Sequence, residues 1–303
     1  MAGMNTASIR SIAMVLLAAM LWGTTGTAQS LAPAGLSPYW VGALRLVIAS
    51  AFFAMLAWPA RSPRGDGLRW RAALLAGACV AVYNLSFFAG VKAAGVALGT
   101  ALAIGSGPIW AGLLQTVLQR RLPAPVWWLG TLLGVAGGAA MALDGGASAR
   151  APWSGMALCL LAGLAYAVYA LTNKRLVAQA GAAAVNLAVF GSAALLSLPA
   201  ALLLGGPPQL SAGSWGVVLY LGLVATGLAY LLFSTALRHI SGATGVTLAL
   251  AEPVTAFGLA IAVVGESPSA MAYGGLAAVL AGLLLVIWSE LRAQPPVAEH
   301  GAA

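Results

Sequence analysis

Charged side chains are scarce in this chain of 303 residues. Only 7% of the residues are Asp, Glu, Lys or Arg, whereas a soluble domain carries about 25%. Hydrophobic residues make up 61% of the chain, and the mean hydropathy is +0.96. This composition excludes an ordinary soluble domain and predicts an all-α polytopic membrane protein.

The chain also has few of the side chains that carry catalysis or bind metals. Its two cysteines, Cys79 and Cys159, lie inside apolar stretches and imply no disulfide framework. Its two histidines, His239 and His300, belong to no converging set of acids and nucleophiles. The sequence contains no zinc motif, P-loop or dinucleotide fingerprint. We therefore expect no enzyme, no cofactor and no metal. A channel is disfavoured because no filter sequence or ring of like charges occurs.

Ten apolar stretches are long enough to cross a bilayer, which takes about 20 residues. These predicted spans run over residues 11–30, 38–58, 72–91, 96–118, 125–143, 153–173, 184–204, 214–237, 243–264 and 270–289. Proline and glycine clusters separate them, as at Leu122-Pro123-Ala124-Pro125.

Basic residues predict the orientation of these spans. One side of the membrane receives most of them: Arg10, Arg61, Arg64, Arg69, Arg71, Arg120, Arg121, Lys174, Arg175, Arg238 and Arg292. The other side receives only Lys92 and Arg150, and Arg45 lies within span 2. Because positive loops stay inside, we expect both termini to be cytoplasmic. The same rule accounts for the net charge of +8, so no nucleic-acid partner is expected, only the lipid bilayer and a small molecule.

An internal repeat relates the two halves of the chain at an offset of 144 to 147 residues. The matched pairs are Tyr83 with Tyr230, Gly95 with Gly242, Pro108 with Pro253, Pro123 with Pro268, Gly130 with Gly275 and Gly137 with Gly282. Each copy holds five spans, and an odd number forces the second copy to cross the membrane in the opposite sense, as in many secondary transporters. We expect two inverted five-helix repeats, 1–147 and 148–292, and a disordered cytoplasmic tail, 293–303.

Glu252 lies in the middle of the apolar stretch 243–264 and is followed by Pro253. An acid at the bilayer midplane costs about 3 kcal/mol, and the proline removes a helix hydrogen bond near Ala249. We therefore expect Glu252 to face the protein interior. It could bind a proton during each transport cycle; alternatively it is structural, and the protein is a uniporter.

Three residues of span 1, namely Trp22, Thr25 and Gln29, share one helical face. The offset of 144 relates them to three residues of span 6: Tyr166, Tyr169 and Asn173. Because the copies are inverted, the first set runs outward and the second runs toward the cytoplasm. This pattern predicts one central cavity with a gate at each end, although interfacial aromatics and helix-packing hydroxyls are an equally simple interpretation.

Further cavity candidates lie at mid-depth in spans 3, 4 and 8. They are Tyr83, Asn84, Phe87, Ser106, Trp110, Thr226 and Tyr230. Pro108 and Pro253 are candidate kinks, and Gln29 and Asn173 are candidate gates. Arg45 lies about 10 Å in from Pro38 along the axis of span 2. Its side chain could snorkel outward, hold a substrate carboxylate, or pair with Glu252.

Glycines recur at regular spacing in spans 5 and 10, at Gly130, Gly134 and Gly137 and at Gly275 and Gly282. This spacing predicts that the two spans pack closely on each other or on a second copy of the chain. We expect a monomer, with a dimer as the alternative.

Two five-span halves, matched prolines in spans 4 and 9, the Glu252-Pro253 step and the ending Gly265-Glu266-Ser267-Pro268 resemble the drug/metabolite transporter superfamily of the EamA type. Within it the chain is most similar to bacterial amino-acid exporters of the YddG kind. The resemblance implies a location in a bacterial inner membrane, alternating access through a central cavity, and a preference for apolar or aromatic amino acids and related metabolites. A drug or other metabolite exporter, or a small-solute uptake carrier of the same fold, is the alternative. The residue matching Glu266 in the first half is Arg121.

Overall fold

The structure is a computed structural model that describes residues 6–30, 37–58, 67–120, 122–144, 152–208, 211–265 and 267–293. Every regular element in these ranges is helical. Ten helical stretches are long and apolar enough to cross a membrane, which confirms the ten-span fold. The expected tail falls outside the described residues, apart from Ala293.

The spans differ from the sequence-based limits by a few residues at their ends. Each of the first seven spans is a single α-helix. They are Thr6–Ser30, Pro38–Ala57, Trp70–Ala94, Val96–Gln119, Pro125–Leu143, Trp153–Val177 and Ala182–Leu204. Span 8 combines Ala212–Tyr220, a π-helical segment Leu221–Leu228, and Ala229–Ala236. Span 9 combines Gly242–Leu248, a 3₁₀ turn Ala249–Ala251, Glu252–Leu259, and a π-helical end Ala260–Val264. Span 10 is Ala270–Ala293.

Because the chain crosses ten times, its two termini lie at the same face of the bundle, which we call the terminal face. Spans 1, 3, 5, 7 and 9 begin there, and the other five end there. We call the other side the opposite face. Short polar caps fix several starts: the Ser37 hydroxyl accepts from the Tyr39 N–H before Pro38, and Ser241 accepts from Thr244 N–H before span 9.

The repeat is visible in how the spans pack. Span 5 packs along span 10, and span 2 along span 7, so each of these spans contacts its own repeat mate. At the first seam a Cβ on Gly130 would lie 2.7 Å from the Gly282 carbonyl oxygen, and one on Gly137 would lie 2.5 Å from that of Gly275. The repeat exchanges these two contacts for each other, as an inverted two-fold relation requires. The predicted packing of spans 5 and 10 on each other is confirmed.

Span 9 changes character at Glu252. Its first segment, Gly242–Leu248, is buried at every position, whereas Glu252–Leu259 has no fully buried residue. The 3₁₀ turn between them lies one turn before Pro253, which has no N–H to donate to the preceding turn. The predicted loosening near Ala249 is therefore present.

Two features of the helices differ from the expectations. Pro108 lies inside a continuous α-helix, Val96–Gln119, so its matched position in span 4 shows no change of helix type. The π-helical segment of span 8 has no counterpart in the sequence analysis. There Gly222 and Gly227 face Ile48 and Phe52 at distances that leave no room for a Cβ, so the segment presses directly against span 2.

Candidate functional site

An aromatic cluster fills the centre of the bundle. We define it as Trp22, Tyr83, Phe87, Tyr166, Tyr169, Phe190, Tyr230 and Phe233. The Trp22 ring lies 4.9 Å from Tyr230 and 6.4 Å from Tyr166, and Tyr83 lies 5.7 Å from Tyr166. Rings at these separations contact one another edge to face or tilted. The cluster joins spans 1, 3, 6, 7 and 8 at mid-depth.

Several predicted cavity residues carry a buried polar atom without a hydrogen-bond partner. Of the eleven such atoms among the described residues, eight belong to residues singled out from the sequence: Trp22, Arg45, Asn84, Ser106, Trp110, Tyr166, Asn173 and Thr226. Buried polar groups are normally satisfied by protein or by bound molecules. The unpartnered polar atoms of Trp22 and Tyr166, which belong to the aromatic cluster, are therefore suited to a ligand that is both polar and apolar.

Arg45 points inward. Its Nη2 donates to Asn84 Oδ1 at 3.0 Å, which links span 2 to span 3. The snorkelling alternative is therefore not the geometry found. A Cβ on Gly42 would lie 2.4 Å from Asn84 Nδ2, so the asparagine is held tightly against span 2.

Glu252 lies where span 9 touches span 1. A Cβ on Gly23 would lie 2.6 Å from the Glu252 carbonyl oxygen, so only glycine allows this approach. The carboxylate is half-buried and, among the described residues, forms no hydrogen bond or ion pair. It lies within electrostatic range of Arg45. It also interacts electrostatically with three tyrosines of the cluster, Tyr83, Tyr166 and Tyr230. Glu252 thus faces the aromatic cluster rather than lipid.

The terminal side of the cluster is sealed by polar side chains. Asn173 Nδ2 donates to Ser234 Oγ at 2.9 Å and to the Tyr169 hydroxyl at 3.2 Å. Ser234 in turn donates to Asn186 Oδ1 at 2.7 Å, and Asn186 Nδ2 donates to the Tyr230 carbonyl oxygen. Tyr169, Asn173, Asn186 and Ser234 are all fully buried. Spans 6, 7 and 8 are therefore bound together below the cluster.

Three further side chains hold the turn between spans 8 and 9 at the terminal face. Lys174 Nζ donates to the carbonyl oxygens of Leu237 and Ile240, at 2.9 and 2.7 Å. Glu290 accepts from the Ser241 N–H at 2.9 Å and from the Thr244 hydroxyl at 2.5 Å.

The third is Gln115, whose Oε1 accepts from the Ala243 N–H at 3.3 Å. We call Gln115, Lys174 and Glu290 the terminal latch. The sequence analysis missed its role, although Gln115 and Glu290 are polar residues within long apolar spans and could have been questioned on that ground.

The predicted gate on the opposite side is more exposed than the terminal side of the cluster. Thr25 and Gln29 are partly exposed, and Gln29 Nε2 reaches only the Thr25 carbonyl of its own helix, at 3.4 Å. Gly26 is exposed, and a Cβ there would meet nothing within 4 Å. Near this level a cross-span bond joins the hydroxyls of Thr24 and Tyr220, at 2.7 Å.

Some predicted residues stay apart from the cluster. Trp110 is partly buried and packs on the main core. Among the described residues, no ring pair joins Trp110 to the cluster. Ser106 lies at the crossing of spans 4 and 6, where a Cβ on Gly163 would collide with its hydroxyl. The proposed comparison of Glu266 with Arg121 lies outside the described residues.

A separate cavity of about 180 Å³ opens at the terminal face between spans 4 and 6. Its lining residues are Gln115, Leu118, Leu171, Lys174, Arg175 and Ala178. Two of them belong to the terminal latch, so the cavity lies directly outside the seal. Among the described residues, no group of three His, Cys, Asp or Glu side chains could hold a metal ion.

Both halves of the chain match one protein family. Residues 9–143 and 153–288 each match the EamA-like transporter family. The chain is 36% identical over 286 residues to the uncharacterized transporter YwfM of Bacillus subtilis (strain 168), covering 94% of this chain and 96% of that protein. A crystal structure of a protein with 20% sequence identity superposes with a TM-score of 0.82 over 94% of this chain and 99% of the other, which shows a shared fold.

Proposed function

We propose that this chain, which belongs to the EamA-like transporter family, exports apolar and aromatic amino acids and related small metabolites by alternating access through the centre of the bundle. Its general activity as a multi-pass membrane transporter follows from the family. The substrate, the direction and the mechanism are the proposal.

The observation that carries the proposal is the aromatic cluster with its unpartnered polar atoms. Trp22 Nε1 and the Tyr166 hydroxyl are buried without a partner beside rings that are 6.4 Å apart. An apolar amino acid offers a side chain to the rings and polar groups to these atoms, whereas an inorganic ion offers only charge. Such a combination of apolar walls and few polar groups is typical of small-molecule sites.

The two sides of the cluster support alternating access. The terminal side is closed by buried hydrogen bonds between spans 6, 7 and 8, while the matched residues of span 1 are partly exposed. A carrier that exposes one site to each side in turn needs such an asymmetric state together with its converse. We infer that the structure is the form open to the opposite face.

Exchange in liposomes tests the substrate class. The purified protein is reconstituted in vesicles loaded with unlabelled phenylalanine or leucine, and entry of labelled amino acid is measured. Exchange well above that of protein-free vesicles is expected. Absence of exchange for all apolar amino acids would overturn the proposal; exchange of planar organic cations instead would favour the drug exporter.

A matched pair of tryptophan variants tests the site. Trp22→Ala removes a ring of the cluster and should slow phenylalanine exchange by roughly threefold to tenfold, since one ring contact contributes about 0.5–1.5 kcal/mol. Trp153 is 85% exposed at the start of span 6, and Trp153→Ala should leave exchange unchanged. Equal losses in both variants would remove the cluster from the transport path.

Export is tested in whole cells. Cells that carry the wild-type protein should lose preloaded phenylalanine faster than cells that carry Trp22→Ala at equal expression. Faster accumulation instead of loss would identify an uptake carrier.

A further inference from the structure

Two opposite charges in the centre of the bundle do not neutralise each other. Arg45 on span 2 and Glu252 on span 9 interact electrostatically, yet no ion pair joins them among the described residues. Charged groups within a membrane normally pair or mark a pathway. A guanidinium and a carboxylate that lie in one interior without contact are complementary to a molecule that carries a carboxylate and an ammonium group.

The guanidinium is held ready for an anion. Asn84 fixes one side of it through Nη2 at 3.0 Å, and Asn84 itself is wedged against Gly42. The Arg45 Nε is buried and has no partner in the part of the chain that the structure describes. A guanidinium presents its donors in a planar fork that matches the two oxygens of a carboxylate.

The Glu252 carboxylate is placed to accept from a cation. Glu252 is the first residue after the 3₁₀ turn of span 9, and its backbone carbonyl oxygen lies against Gly23. Its carboxylate has no partner among the described residues. An ionised carboxylate only accepts hydrogen bonds, so its complement is a donor such as an ammonium group.

The two charges lie within electrostatic range of the same two residues of the aromatic cluster, Tyr83 and Tyr230. Contacts also connect them through the protein: Asn84 adjoins Tyr83, the Tyr83 ring lies 5.7 Å from Tyr166, and Tyr166 contacts Trp22, which precedes Gly23. A ligand bound between the charges would therefore place its remaining part on the rings.

We propose that Arg45 and Glu252 form a two-point clamp that binds the α-carboxylate and the α-ammonium of the substrate, so that the transported species is a zwitterion whose side chain packs on the aromatic cluster. This inference rests on the proposed function and names the feature by which the same site recognises its substrate. The matching groups are attached to one carbon in every α-amino acid, and a molecule that lacks either group leaves one buried charge without a partner.

Three related compounds test the clamp. Phenylalanine carries both groups, phenethylamine lacks the carboxylate, and 3-phenylpropionate lacks the ammonium. Each is used to compete with labelled phenylalanine for exchange in vesicles that contain wild-type protein, Arg45→Gln or Glu252→Gln. Asp144→Asn, which removes a charge at the protein surface, is the control.

Arg45→Gln should weaken binding of compounds that carry a carboxylate, and Glu252→Gln should weaken binding of compounds that carry an ammonium group. A hydrogen bond to a charged group contributes about 1.5–3 kcal/mol, which corresponds to roughly tenfold to hundredfold in apparent affinity. Arg45→Gln should weaken competition by phenylalanine and 3-phenylpropionate by that factor and leave phenethylamine unchanged. Glu252→Gln should weaken phenylalanine and phenethylamine and leave 3-phenylpropionate unchanged. The control should behave as wild type.

The possible failures are distinguishable. If both variants weaken all three compounds equally while wild type exchanges phenylalanine, the clamp is wrong and the proposed function stands. If wild type exchanges no amino acid, both proposals fall. Should Arg45→Gln or Glu252→Gln not fold, Arg45→Lys and Glu252→Asp replace them. Each keeps the charge and should keep the order of preference among the three compounds with weaker binding; an altered order would overturn the clamp.

Discussion

The turn between spans 8 and 9 and the turn between spans 3 and 4 occupy matched positions in the two halves, around Gly242 and Gly95. The first is held by the terminal latch, whose three side chains come from spans 4, 6 and 10. The second, among the described residues, has only backbone hydrogen bonds, and Gly95 adopts a φ of +87°. Equivalent backbone segments are thus fastened at one face and free of side-chain bonds at the other.

This contrast shows which parts of the duplication are shared and which are not. The seam of spans 5 and 10 obeys the two-fold relation, glycine against glycine. The polar side chains do not: Glu252 corresponds to Gly107, and Glu290 corresponds to Asp144. Asp144 binds Ser269, in the turn between spans 9 and 10, instead of the turn between spans 3 and 4. A common scaffold therefore carries different closures at its two ends. Under alternating access, the two conformations would differ in which turn is held.

Reporter fusions test which of the two faces of the bundle lies in the cytoplasm. A fusion after Leu143 and one after Ala293 should report opposite sides of the membrane, because five crossings separate them. The basic residues predict that the second is cytoplasmic. The same side for both would contradict the ten-span topology.

Cysteine accessibility tests the open and closed sides directly. Gly26 and Ala170 are repeat mates at offset 144; Gly26 is exposed and Ala170 is 0% exposed. With Cys79 and Cys159 replaced, Gly26→Cys should react readily with a small polar thiol reagent. Ala170→Cys should react roughly tenfold to a thousandfold more slowly, since a minor open state is populated at about 0.1–10%. Equal rates would mean that the structure does not describe the resting state.

The seam of spans 5 and 10 can be tested by the same substitution at adjacent glycines. A methyl group at Gly137 would approach the Gly275 carbonyl oxygen at 2.5 Å, whereas one at Gly138 would meet nothing within 4 Å. Gly137→Ala should destabilise the protein by about 1–3 kcal/mol through overpacking. Gly138→Ala should be neutral or stabilising by up to about 1 kcal/mol, because alanine is the better helix former. Thermal unfolding in detergent measures both, and similar melting temperatures would refute the symmetric contact.

Weakening the terminal latch should increase the fraction of molecules that are open at the terminal face. Glu290→Gln keeps the shape but weakens the bonds to Ser241 and Thr244, at a cost of about 1 kcal/mol for a half-exposed group. In the Ala170→Cys background this change should speed labelling by roughly fivefold. The melting temperature should fall by a few degrees at most. Unchanged labelling together with a lower melting temperature would assign Glu290 to stability alone.

Residue patterns predicted the architecture because each element depends on local signals. Apolar length defined the spans, Pro253 marked the turn near Ala249, and the glycine spacing marked the seam. The terminal latch escaped prediction because its bonds join residues that are 46 to 128 positions apart. The π-helical segment of span 8 escaped it too, since its glycines lie against Ile48 and Phe52, which are far away in the sequence. Arg45 could be located by sequence, but only packing against Asn84 shows that it turns inward.

Asp144, the repeat mate of Glu290, should show the smallest effect, because its hydrogen bonds to Ser269 lie at the protein surface. Hydrogen bonds from the Ser269 hydroxyl and from its N–H hold the pKa of the Asp144 carboxyl below its usual value of 3.8. A carboxyl whose pKa is lowered by folding stabilises the folded state above its unfolded pKa, and that contribution disappears as the pH falls through the folded value. Its full effect is therefore present at neutral pH and is lost only below about pH 3.8.

Solvent screens this exposed group, so Asp144→Asn should change the melting temperature at pH 7 by about one degree. Below its folded pKa, wild type and variant should converge. Glu290→Gln measured under the same conditions should show the larger shift at pH 7. If Asp144→Asn proved the more damaging of the two, the opposite face would be the more firmly fastened one, and the contrast between the two turns would have to be reversed.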